Sequence, residues 1–201
     1  MPETTTTASE EHGSALRTLA PLPIIQAFFM LVYAVWWSLA WPGWGTAAFA
    51  LAVIYAIVVA ILSVRNIRHS RQFENIPTED GRRIGRQMGM LMGITYGLVW
   101  IAILTLALTG QFRWILPAVA TLIALHFFPF VRIFDRKIDY LLAPIALTFA
   151  LVGLWLAAQS TIDWLVVFAV TGIGGALATG VYAGYILHGY SQLASQAEQP
   201  E

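Results

Sequence analysis

Apolar and polar residues alternate along this chain in blocks much longer than a strand or an amphipathic helix needs. Six apolar runs stand out, at about 22–41, 46–64, 84–109, 114–131, 140–158 and 164–187. Each is long enough to cross about 30 Å of hydrocarbon as a helix. Only a helix or a closed barrel satisfies its own backbone there. The pattern predicts an all-α fold: a polytopic membrane protein, with a six-transmembrane-helix bundle at 18–189 and tails at 1–17 and 190–201. The first tail, MPETTTTASEEHGSALR, is Thr-rich, acidic and without apolar period, and is read as disordered. Ser38-Leu39-Ala40 loosely resembles a signal-peptide cleavage site. The acidic start and the length of the first run favour an uncleaved first helix instead.

The third run carries the most distinctive pattern. Glycines stand at 81, 85, 89, 93 and 97, four apart, so they share one helix face. Thr78, with Glu79 and Asp80, is the expected N-cap and acidic first turn of this helix. The sixth run repeats the theme with Gly172, Ala176, Gly180 and Gly184. Strips of small residues let helices pack closely in a bilayer. The simplest expectation is that Gly85, Gly89, Gly93 and Gly97 pack against the sixth-run strip inside one protomer. The sharper one is that a strip faces a second subunit.

Charge then sets orientation. Arg17, Arg65, Arg68, Arg71, Arg82, Arg83, Arg86, Arg132, Arg136 and Lys137 fall at one end of a six-helix threading, and Arg113 alone at the other. The positive-inside rule places both termini in the cytoplasm, in a bacterial inner membrane. Trp36, Trp37, Trp41, Trp44, Trp100, Trp114, Trp155 and Trp164 mark the opposite interface. The connections there, WPGWG, TGQFR and AQSTID, leave no room for an external domain.

Composition agrees. The chain is 58% hydrophobic and 11% charged, with mean hydropathy +0.70, against about 25% charged residues in soluble domains. Net charge is zero, which gives no sign of a nucleic-acid partner. The absence of cysteine excludes disulfides, thiolate nucleophiles and Cys-ligated metals.

Candidate chemistry is sparse. His126 lies inside the fourth run, six residues before Arg132 and so roughly 9 Å from the interface. Pro129 removes a hydrogen bond to the Leu125 carbonyl and leaves an acceptor near it. An intramembrane ionisable group is a functional hypothesis, and a neutral imidazole satisfied by its neighbours is its structural counterpart. Gln26, Tyr182 and Tyr185, with Thr179, sit at similar depth and would complete a polar layer if their helices adjoin. Such a layer binds a small molecule or serves as interhelical glue. In the inner segment HFFPFVRIFDRKIDY, Asp135 and Asp139 stand among Arg132, Arg136 and Lys137 and are read as paired and solvated. The basic residues Arg65, Arg68, Arg71, Arg82, Arg83, Arg86, Arg132, Arg136 and Lys137 are expected to meet anionic lipid headgroups. No metal site and no cofactor motif are found, and HExxH, Walker A and GxSxG patterns are missing.

The His126–Pro129–Arg132 segment resembles one in an uncharacterised family of small six-helix bacterial membrane proteins. They share a His, an aromatic residue or Leu, a Pro and then a basic residue. The likeness covers mainly the third to fifth runs and implies that the three residues matter together. It implies no reaction.

The leading functional expectation is a non-enzymatic scaffold or accessory subunit packed through glycine strips. Its partners would be the bilayer, anionic lipids, and either a second copy or another membrane protein. The alternative is a small-molecule or lipid-binding carrier or channel with its site near Gln26, His126 and Tyr182. An intramembrane enzyme using His126 with Asp135 comes third.

Overall fold

The computed structural model describes residues 8–73, 79–134 and 136–197. Every regular element among them is helical: α1 (Ala8–Leu19), α2 (Leu22–Ala40), α3 (Trp44–Ser70), α4 (Glu79–Leu108), α5 (Ile115–Phe134), α6 (Asp139–Ala158) and α7 (Trp164–Ala197), with a 3₁₀ turn at Phe112–Trp114. Six stretches are long and apolar enough to cross a membrane, the first joining α1 and α2 across Gly13–Ala40. This is the build of a multi-pass membrane protein.

Local chemistry sets the breaks. Pro21 and Pro23 stand where α1 gives way to α2, and the residue before a proline resists the helical region. Gly43 takes φ +90° in the α2–α3 turn, a conformation that glycine tolerates. Trp41 and Trp44 stack across that turn at 4.6 Å. After α4, Gly110 takes φ +73°, its N–H bonds the Ala107 carbonyl, and that of Gln111 reaches back to Leu106 at 2.7 Å. That pair of bonds is a Schellman ending. The expected Thr78 cap lies outside the described residues.

Both expected tails are shorter than the sequence reading had them. Residues 8–17 belong to α1, and α7 runs through 190–197; residues 1–7 and 198–201 lie outside the described set. The reason is a small apolar stripe. Leu16, Leu19 and Ala20 of the α1 end pack with Ile67 of α3, with Phe73 just beyond it, and with Tyr190, Leu193 and Ala194 of α7. Arg17 then donates to the carbonyls of Ser70 and Arg71, both at 3.2 Å, satisfying acceptors at the end of α3.

α7 is the central helix. It packs most extensively against α2 and also meets α6, α1, α5 and α3. Its small residues permit this: a Cβ at Gly172 would collide with the Tyr33 carbonyl, and one at Gly175 would stand 2.5 Å from the Tyr33 ring. Ala176 is buried. A Cβ at Gly180 would lie 3.0 Å from Met30 Sδ, and one at Gly184 3.1 Å from the Tyr55 hydroxyl. Tyr55 donates to the Gly180 carbonyl at 2.8 Å, and Trp37 Nε1 to that of Ala169 at 3.2 Å. The strip on α7 is therefore filled by α2 and α3.

α4 does not take part in this packing. Among the described elements it approaches only α5 and the 3₁₀ turn, and it is the least buried of the six spans. Gly85, Gly89, Gly93 and Gly97 face outward, and a Cβ at any of them would have nothing within 4 Å. The expectation that the two strips pack against each other is overturned: aromatic residues of α2 and α3 already occupy the α7 face.

Candidate functional site

At the arginine-rich end, α5 closes on α6 through residues 135–138, of which Asp135 lies outside the described set. A tight turn follows, with the amides of Tyr140 and Leu141 bonded to the carbonyls of Lys137 and Ile138 at 3.2 and 3.0 Å. Ile138 anchors it, packing into the apolar cluster of Leu142, Tyr182 and Ile186 with Leu19 and Leu22. That anchor turns the start of α6 toward the bundle and takes the next residue, Asp139, out of water. Asp139 is 0% exposed, and neither carboxylate oxygen has a hydrogen-bond partner among the described residues. The reading of Asp139 as paired and solvated is thus corrected.

Two neighbours complete the cluster. Arg136 donates from Nη1 to the Tyr182 hydroxyl at 2.7 Å, and its guanidinium carbon lies 5.9 Å from the centre of the Tyr182 ring, within reach of a cation–π contact. Tyr182 stacks on Tyr185 at 6.3 Å and meets Phe127 edge-on at 6.1 Å. Arg136 is half-buried, whereas Arg65, Arg68, Arg71, Arg82, Arg83, Arg86, Arg132 and Lys137 are exposed. Arg136, expected at the lipid surface, is turned inward. The cluster sets a buried carboxyl near a guanidinium that is bonded to a phenol hydroxyl. Among the described residues no three of His, Asp and Glu come together as a metal cage.

The other expected residues are dispersed. His126 is 7% exposed, stacked on Phe127 at 4.7 Å and edge-on to Phe130 at 4.9 Å. Its Nδ1 is buried without a hydrogen-bond partner. Met88, Leu91 and Met92 of α4 pack around the same phenylalanines. Gln26 is half-buried on α2, a helix that makes no close approach to α5. Phe127 contacts both the His126 and Tyr182 rings, and the helix bearing Gln26 stays apart from the one bearing His126. Tyr185 is 39% exposed, beside Tyr182.

Sequence reasoning missed a second polar lock at this end. Tyr190 of α7 donates to the Asn66 carbonyl at 2.8 Å, which leaves its oxygen to accept from His69 Nδ1 at 2.9 Å. At the tryptophan-rich end, Arg113 Nη2 donates to the carbonyls of Leu156, Gln159 and Ile162 at 3.4, 2.7 and 3.2 Å. The one basic residue at that end is thus bonded to the end of α6 and the loop beyond it. It also borders a groove with Phe112, Asp163, Trp164 and Phe168.

No protein-family model, curated protein or solved structure matches this chain.

Proposed function

We propose that this protein is a non-enzymatic membrane scaffold or accessory subunit that binds a second transmembrane helix along the glycine face of α4. One observation carries the reading: Gly85, Gly89, Gly93 and Gly97 form an open face on a helix that α5 alone of the long helices supports. In a bilayer, helices gain little from merely leaving lipid, and close backbone approach over small residues favours association. The matching strip on α7 is filled within the protomer, which leaves the α4 face available. The simplest occupant is the same face of a second copy, in a two-fold arrangement.

In this reading the arginine-rich end lies in the cytoplasm of a bacterial cell, with both termini inside. Ten Lys and Arg against one support it. The exposed arginines, Arg82, Arg83 and Arg86 at the foot of α4 among them, meet anionic headgroups at about 1 kcal/mol each. The family resemblance around His126, Pro129 and Arg132 suits the same setting. A small-molecule carrier using Gln26, His126 and Tyr182 is the weaker reading, because the helices bearing Gln26 and His126 do not adjoin.

The chain has no cysteine, so a single introduced thiol is a unique probe. Under oxidation in native membranes, Gly93→Cys should cross-link. Leu98→Cys, on an exposed position about 140° round the helix at 3.6 residues per turn, should not. Equal cross-linking at both positions, or at neither, sinks the proposal.

A further inference from the structure

The buried start of α6 points to an activity separate from the α4 face. We propose that Asp139 is a proton-binding site whose state decides whether Arg136 holds the α5–α6 turn to α7 through Tyr182.

Asp139 stands one residue before the apolar run 140–158, with no exposed surface and, among the described residues, no hydrogen-bond partner for either oxygen. A charged carboxylate held this way forfeits its hydration and receives no hydrogen bond in return, and such a group takes up a proton instead. Arg136 opposes that outcome, being the cation whose field reaches Asp139. The other group coupled to Asp139 is the Tyr182 hydroxyl, which in turn feels Tyr185. Leu19 and Leu22 add apolar surface to the same cluster. The guanidinium is thus bonded to a neutral phenol and coupled to a carboxyl that is either neutral or charged.

With the proton bound, Asp139 offers Arg136 little, and the 2.7 Å bond to Tyr182 stands. When the proton leaves to water at the arginine-rich end, the buried carboxylate needs a counter-charge. Arg136 is the cation whose field already reaches it, and charge-assisted pairing is stronger than its bond to a phenol. Arg136 then leaves Tyr182, and the turn loses that tie to α7. Because α7 is the helix on which most of the bundle packs, one proton at this turn biases the arrangement of the arginine-rich end.

Difference infrared spectroscopy of the full chain in lipid nanodiscs, stepped from acid to alkaline pH, tests the device. The expected result is a protonated-carboxyl band that persists well above the pH at which surface carboxyls titrate and is missing in Asp139→Asn. Its loss should coincide with a change in the tyrosine bands, and Tyr182→Phe should keep the carboxyl band but abolish that change. A spectrum in which Asp139→Asn removes no such band, or a carboxyl that titrates without any Tyr182 response, overturns the proposal. Asp139→Asn mimics the protonated acid, so it should fold and resist alkaline unfolding better than the natural chain. Failure of this variant to fold would mean that the charge is required, which also overturns it.

Discussion

The ring of Tyr33 lies against the bare Cα of Gly175, so close that a Cβ there would stand 2.5 Å from its Cγ. Tyr33 is itself buried, and its helix forms the largest interface with α7. Gly175→Ala should therefore lower stability by about 1–3 kcal/mol, the usual range for overpacking. Gly93→Ala has open space around it and removes a helix-weakening glycine. Its melting temperature should equal or exceed that of the natural chain. Equal losses in the two variants would contradict the assignment of one glycine to the interior and the other to the outer face.

Arg113 should matter for stability although it lies at the poorly charged end. Its Nη2 closes on three carbonyls where α6 ends and the next loop begins. Arg113→Met removes charge-assisted bonds worth about 1.5–3 kcal/mol where water does not replace them. Arg113→Lys should recover only part, since an ammonium lacks the planar fork of guanidinium. Thermal melts of the three proteins decide it, and an unchanged melt for Arg113→Met would refute the role.

His126→Leu should be tolerated or stabilising. Its Nδ1 is buried without a partner among Phe127 and Phe130, and replacing an unsatisfied polar group by an apolar one of similar size is close to neutral or favourable. A lowered melting temperature would mean that the imidazole's hydrogen bond to the Ile123 backbone outweighs the cost of its burial.

The six spans were legible because bilayer-length apolar runs leave few alternatives, and Gly110 and Pro21 mark breaks where their chemistry requires them. α1 was not, because its only apolar stripe is Leu16, Leu19 and Ala20, too short to stand out in a polar tail. The glycine spacings of α4 and α7 are the same in sequence. Which face is filled depends on where Tyr33, Met30 and Tyr55 land, a property of tertiary packing. Asp139 was misjudged for a related reason. In sequence it is one of two acids among three bases, and only the anchoring of Ile138 against Leu19, Leu22 and Tyr182 takes it out of water.

The proposed role of the open glycine face of α4 is to join this chain to another helix. Native mass spectrometry of mildly solubilised protein, comparing the natural chain with Gly93→Leu, tests it most directly. The natural chain should appear as a complex with a second copy or another membrane protein. Gly93→Leu should give a lone chain with the same melting temperature, because nothing in the protomer touches that position. A natural chain that flies alone, or a Gly93→Leu variant that keeps its partner, would contradict it.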